Sequence, residues 1–231
     1  MFDAVIFGGG GLICVTLGFA RAGTRLALAD MSADGLQETA RLIDAAGGGE
    51  ALTLTCDVTS EEDIQAAVNR TVERFGSLDA AFNNAGVEQP VQPAADTAKD
   101  DWDRILGVSL TGAFLCTRAQ IRQMLQQDGG GAIVNISSGA GVIGLTKSAA
   151  LEYGPRGVRI NAVCPGTIST PMVDTMVEGG ELDRAQAETG QAIHRLGTAD
   201  EIAQAVLWLS SPGASYVTGI ALPVDGGYTA Q

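Results

Sequence analysis

At 231 residues, 45% of them hydrophobic, the chain is long enough for a single α/β domain with a sizeable core. A net charge of −13 argues against nucleic acid or an anionic membrane as partner, and no apolar run reaches the ~18 residues needed to span a bilayer. The four cysteines (Cys14, Cys56, Cys116, Cys164) form no C-x-x-C pair, and a single histidine, His194, cannot build a histidine-rich metal site. Reduced thiols, no metal and a cytoplasmic location are therefore expected, without a signal peptide, because Met1 leads straight into the first strand.

The apolar run Asp3 to Phe7 meets four glycines, Gly8 to Gly11, before a segment of small and apolar residues, Gly23, and a second apolar run ending at Asp30. Strand, glycine loop, helix, strand and carboxylate in that order suit a dinucleotide. Glycines let the backbone approach a pyrophosphate at a helix N-terminus, and an acid about 20 residues on can accept a ribose diol. Ser32 then caps a helix with Leu36, Ala40 and Ile43 on one face, ended by Gly47 to Gly49. Ala51 to Cys56 reads as the third strand, closed by Asp57-Val58. Ser60 with Asp63 resembles a capping box, and Ile64, Val68, Val72 and Phe75 form a helical stripe stopped by Gly76.

Leu78 to Phe82 is a fourth strand opening into Asn83-Asn84-Ala85-Gly86, followed by a loop with Pro90 and Pro93 and a long helix from about Asp100 to Gln127. Ala132 to Ser137 is the fifth strand, Val142 to Tyr153 a helix, and Val158 to Val163 the sixth strand, ending at Pro165-Gly166. A long insertion, Thr167 to Gly197, precedes the helix Glu201 to Leu209 and a last strand, Ile220 to Val224. About seven strands alternating with helices specify one Rossmann-like, doubly wound parallel sheet over residues 1–231, covered by helices on both faces. Ligands bind beyond the carboxyl ends of such strands, where this chain places glycine, proline or polar residues.

LALAD, CDVTSEEDI, LDAAFNNAG, GAIVNISS, LTKSAALEYGPRGVRINAVCPGTISTPM and YVTGIALPVDGGY together resemble the short-chain dehydrogenase/reductase family over nearly the whole chain. The resemblance implies a nicotinamide-dependent oxidoreductase, usually a homotetramer, acting on a secondary alcohol or its ketone. It implies cofactor contacts at Gly8, Gly9 and Gly10, at Asp30 on the adenosine ribose, and at Asp57 and Val58 beside the adenine. It also implies contacts at Asn84, Ala85 and Gly86 beneath the cofactor, and at Pro165, Gly166 and Thr170 near the nicotinamide. Ser138 matches the family's catalytic serine. Asp57 and Asn83 have a second reading as strand-end turn residues. Asp30 favours NAD over NADP, because a carboxylate would face the 2′-phosphate. Residues Ser169 to Leu196 resemble the substrate lid. Its pairs Met172/Met176 and Val173/Val177 suit a small, partly apolar substrate such as a cyclic alcohol, unless that helix packs on its own domain.

Three departures accompany the resemblance. The glycine loop is shorter than the family's T-G-x-x-x-G-x-G, and Ser109 replaces an asparagine that connects the catalytic lysine to a water chain. No tyrosine is followed four residues later by lysine, so the Y-x-x-x-K segment expected after Ser138 is missing where SSGAG runs into VIGLTKSAALEYG. Either the segment is absent, or it belongs to the natural protein between Gly141 and Val142. Two readings follow: an NAD-dependent oxidoreductase, or an inactive nucleotide-binding or scaffold homologue without the catalytic tyrosine and lysine.

Overall fold

The apolar runs become strands, and the periodic stretches between them become helices. The computed structural model describes residues 3–9, 13–48, 51–87, 93–137 and 139–230. Its first half comprises β1 (Asp3–Phe7), α1 (Ile13–Arg21), β2 (Arg25–Asp30), α2 (Ala33–Ala45), β3 (Leu52–Thr55), α3 (Glu61–Phe75) and β4 (Ala80–Asn83). A long helix follows as α4 (Lys99–Ile105), a π-helical stretch (Leu106–Gly112) and α5 (Ala113–Met124). The second half comprises β5 (Gly131–Ile136), α6 (Ala140–Tyr153), β6 (Val158–Pro165), β7 (Ile168–Ser169), α7 (Pro171–Glu178), α8 (Arg184–Thr189), β8 (Gly197–Thr198), α9 (Ala199–Ser210) and β9 (Ala221–Val224).

Seven strands form one parallel sheet in the order β3-β2-β1-β4-β5-β6-β9. The expected doubly wound sheet is thus the observed one. Every residue of β1 is buried, as a central strand covered on both faces requires. Val5 and Phe7 join an apolar layer with Ile64, Val68, Cys116 and Ile133, beneath α3 and α5. Ala4 and Ile6 turn to the opposite layer, with Val15, Phe19, Leu36, Ile43 and Val206 from α1, α2 and α9. Each fully buried aliphatic side chain stabilises the fold by about 1.5–3 kcal/mol, as an upper estimate.

Local chemistry sets the helix ends. Ser32 accepts the Gly35 N–H at 3.1 Å, and Gly76 closes α3 in the left-handed region at φ 99°. The Ser60/Asp63 pair departs from the expected box. Ser60 caps the Asp63 amide, but the Asp63 carboxylate reaches back to the Asp57 amide at 3.0 Å instead of the Ser60 amide. The reciprocal box occurs at Thr198 and Glu201. There the Arg195 guanidinium, with the Thr198 amide, holds the Glu201 carboxyl down at about 2. At the amino end of the sheet, Arg25 grips the buried Asp3 carboxylate at 2.7 and 2.8 Å and also donates to the Phe75 carbonyl.

The insertion carries α7 and α8, and its neck is closed where Ile168-Ser169 pairs with Gly197-Thr198. Beyond the neck, Val173, Met176 and Val177 are half-buried. His194 lies in the loop before β8, at φ 53°.

Candidate cofactor site

Parallel pairing in register puts every carboxyl strand end on one edge of the sheet. Cys56 N–H donates to the Asp30 carbonyl at 3.0 Å, which sets Asp57 beside Asp30. Gly8 N–H donates to the Ala29 carbonyl at 2.8 Å, and Asn84 N–H donates to the Phe7 carbonyl at 2.9 Å. Ser137 N–H donates to the Val163 carbonyl at 2.9 Å, and Gly166 N–H donates to the Val224 carbonyl at 3.1 Å. The edge therefore runs Asp57, Asp30, Gly8, Asn84, Ser137, Pro165. The strand order reverses between β1 and β4, and Gly8 and Asn84 sit at that switch point, where open α/β sheets bind ligands.

Gly8 has φ 83°, and a Cβ placed on it would lie 2.6 Å from the Ala85 amide nitrogen. The side chain of Asn84 fixes the same crossing by donating to the Gly8 carbonyl at 3.1 Å. This close backbone approach leaves a side-chain-free floor where a pyrophosphate would lie, so these residues fit the implied dinucleotide. Gly9 is buried, and its carbonyl accepts a 3.4 Å bond from buried Thr39 of α2, a contact no sequence pattern signalled. Gly10 lies outside the described residues.

At the tip of β2, one Asp30 oxygen accepts the Ser32 amide at 2.9 Å. Asp57 closes a turn, accepting the Thr59 amide and hydroxyl at 2.8 Å each, which is its second reading from the sequence. Buried Val58 packs against Gly112 of the π-helical stretch. Burial pushes the Cys56 thiol up to about 12, and Asp63, Asp57 and Asp30 all add to that rise, so the local field is negative.

The π-helical stretch corrects the single regular helix expected there. It touches the cofactor edge at three points: Gly112 on Val58, Ser109 on the loop after Gly86, and Leu110 on Gly141. Ser109 Oγ accepts the Val87 amide at 3.4 Å, so the residue in place of the family's asparagine supports the Asn84–Gly86 turn. π-Bulges concentrate at functional sites because they re-aim backbone groups.

Past the tip of β6, Gly166 packs so closely on Asp225 that a Cβ would come within 2.8 Å of its Cα. Thr170 caps α7, its hydroxyl accepting the Val173 amide at 3.3 Å. The first turns of α6 present Ala140, Gly141, Val142, Ile143 and Gly144, none able to exchange a proton through its side chain. Lys147 is exposed on the outer face. Ser138 lies outside the described residues.

The chain matches the family model described as short chain dehydrogenase over residues 4–180 and that described as enoyl-(acyl carrier protein) reductase over 138–229. It is 39% identical to 2-(R)-hydroxypropyl-CoM dehydrogenase of Xanthobacter autotrophicus, covering 96% of this chain and 95% of that one. That alignment extends over 241 residues, more than this chain has, so the relative carries residues without a counterpart here. Identity to 2,5-dichloro-2,5-cyclohexadiene-1,4-diol dehydrogenase of Sphingobium indicum is 36%, covering 90% and 88% of the two chains. Among solved structures, ElxO with NADP bound superposes with a TM-score of 0.91 at 28% identity, covering 99% of each chain. The sheet order, the glycine crossing at the switch point and these matches agree: the chain belongs to the short-chain dehydrogenase/reductase family.

Proposed function

We propose that the protein binds NAD along the sheet edge and that its site is built for hydride transfer between the nicotinamide and a small, partly apolar secondary alcohol or ketone. The observation that carries this is the Gly8 crossing with Asp30 one strand away. Gly8 and Gly9 would take the pyrophosphate, Asp30 the adenosine ribose, Asp57 and Val58 the adenine side, and Asn84 to Gly86 the floor. Gly10 would complete the glycine contacts, and Pro165, Gly166 and Thr170 would border the nicotinamide. When bound, the nicotinamide supplies or accepts the hydride. Ser138 would hold the substrate oxygen. The Sphingobium relative is named for a cyclic diol, which supports a cyclic secondary alcohol as substrate class.

A specific observation favours the second reading for the 231-residue chain itself. An alcohol must release a proton as it loses its hydride, and the described start of α6 offers no side chain to take it. A positioned acid–base group contributes about 10²–10⁴ in rate. The chain is therefore expected to bind NAD without appreciable turnover. If the natural protein carries a Y-x-x-x-K segment between Gly141 and Val142, that protein should turn over, with Ser138→Ala lowering its rate by about 10²–10⁴. Intact mass identifies which protein is in hand. NADH formation with a panel of secondary alcohols then tests it, and robust turnover by a 23.6 kDa chain would refute the assignment of the chemistry.

The protein is further proposed to be a single-domain cytoplasmic homotetramer. All four cysteines are unpaired, and no described helix is long and apolar enough to cross a membrane. A groove of about 370 Å³ between α5 and α6, lined by Phe114, Ile121, Leu145 and Tyr153, supports self-association through the long helix.

A further inference from the structure

Beneath the cofactor edge, on the face of the sheet otherwise filled with Ala81, Cys116 and Ile133, five polar side chains are buried together. Asn83 and Gln120 face each other as a closed amide pair: Asn83 Nδ2 donates to Gln120 Oε1 at 3.0 Å, and Gln120 Nε2 donates to Asn83 Oδ1 at 2.6 Å. Asn83 Nδ2 also donates to Asn135 Oδ1 at 2.8 Å, directly across the β4–β5 pairing, with Thr117 beside both. Asn135 Nδ2 then donates to Thr146 Oγ1 of α6 at 3.0 Å. Each of the five is no more than 5% exposed.

Polar groups so placed are expensive to bury unless every partner is present, and an apolar core would do as well for stability alone. Their position suggests a different use. Asn83 directly precedes the Asn84–Gly86 turn, and Asn135 stands two residues before Ser137. The Asn135–Thr146 bond adds a tie between β5 and α6 beyond the chain connection itself, and it fixes which face of the helix turns toward the strand.

We propose that Gln120 and Thr146 are positioning residues. Through Asn83 and Asn135 they hold the two central turns of the cofactor edge at a fixed height above α5 and α6, without touching the cofactor themselves. The part of this that concerns affinity rests on the NAD-binding reading above.

The test uses the full chain with Thr146→Val, Thr146→Ser and Gln120→Met, reading NAD affinity by calorimetry and amide hydrogen exchange in the cofactor-free protein. Thr146→Val and Gln120→Met should each weaken NAD by about tenfold, because each leaves a buried amide without its partner. Exchange at Asn84 and Ser137 should rise by a similar factor, while Gly8 and Cys56, bonded at the distal half of the edge, stay unchanged. Thr146→Ser, which keeps the hydroxyl, should remain within about twofold of the parent in both readouts. Exchange rising uniformly over all four amides, or not rising at all, would overturn the proposal. So would unchanged NAD affinity in folded variants of an NAD-binding parent. If the parent binds no NAD, the cofactor reading fails, and a rise confined to Asn84 and Ser137 still supports the positioning role. Should Gln120→Met not fold, Thr146→Val, which breaks only the last link, decides.

Discussion

Cofactor choice can be worked from the tip of β2. A 2′-phosphate at the adenosine ribose would face the Asp30 carboxylate. Two like charges about 4 Å apart repel by ~1 kcal/mol in water and by ~4 at an effective dielectric of 20, so NAD should be preferred by about fivefold to a thousandfold. Neighbouring acids add to the repulsion. Asp57 and Asp63 add to the negative field that Asp30 exerts on Cys56. Arg25 is no counter-charge, because five residue steps along β2 separate it from Asp30, about 16 Å. Its guanidinium is also held by Asp3 and the Phe75 carbonyl, and ~16 Å is twice the ~8 Å screening length of physiological salt. The next residue, Met31, is uncharged and 68% exposed, so it is open to substitution.

Calorimetric titration of the parent with NAD and NADP measures the preference. Asp30→Ser should weaken NAD by about tenfold or more, the scale of a lost charged hydrogen bond, and should narrow the gap to NADP. Adding Met31→Arg should reverse the order. Folding should survive, since Asp30 sits at the partly exposed tip of β2, where a serine oxygen can still accept the Ser32 amide. The NADP-bound ElxO structure shows that the fold does not by itself exclude NADP, so the preference has to come from side chains. Equal or tighter NADP binding by the parent, or an unchanged ratio in Asp30→Ser, would refute the reasoning.

Four further outcomes are expected. Gly8→Ala should abolish NAD binding and destabilise the fold by more than ~1 kcal/mol in urea titration, since both its φ of 83° and the 2.6 Å contact to Ala85 exclude a methyl. Cys56 and Cys116 should resist alkylation in the folded protein at pH 8, leaving Cys14 and Cys164 as the reactive thiols by mass spectrometry. Because burial raises the Cys56 pKa to about 12, its stabilising share is complete below ~8.5 and falls by ~1.4 kcal/mol per pH unit up to about 12, so denaturation midpoints should drop steeply above pH 9. Light scattering should report a tetramer of the 23.6 kDa chain, and Phe114→Asp, at a 43% exposed position, should dissociate it; a monomeric parent would refute the oligomer.

The strands and their tips were legible because a parallel sheet buries continuous apolar runs and ends each one at a turn. Asp30, Gly8 and Asn84 could be placed on one edge before any coordinates. Three features could not be read in this way. Leu106 to Gly112 has ordinary helical periodicity, and nothing in it marks the π geometry that packs beside Val58 and Gly141. The Asp63 carboxylate obeys the spacing of a capping box but finds the Asp57 amide, because the β3–α3 turn folds that N–H toward it. The sequence offers Asn83 a second role as a strand-end turn residue, yet it is buried against partners 37 and 52 residues away, a juxtaposition only the closed sheet creates. Gly10 and Ser138 stand outside the described residues, so their roles remain those the resemblance implies.

Why the fold tolerates so short a route from β5 to α6 follows from lengths. The fourteen residues of α6 rise about 21 Å at ~1.5 Å each, close to the ~23 Å that the eight-residue β6 covers in its seven steps. The helix therefore returns the chain to the amino end of the sheet without any further turn. Val142, Ala149 and Ala150 on its inner face are buried, and Thr146 is pinned to Asn135. The adenosine half of the edge is built from β1, β2 and β3, whose pairing and caps involve no residue of α6. On the proposed reading, the adenosine side of cofactor binding and proton transfer thus depend on separate parts of the chain. Altering the start of α6, ahead of Thr146, can remove the second while the first survives in weakened form, since Asp30 and the Gly8 crossing are held by bonds that α6 does not make and the tie from α6 toward the Asn84–Gly86 turn runs through Thr146. Measured NAD affinity for the 231-residue chain, set beside its rate of NADH formation, separates the two quantities directly. Loss of both together would show that the edge needs α6 more than these contacts imply.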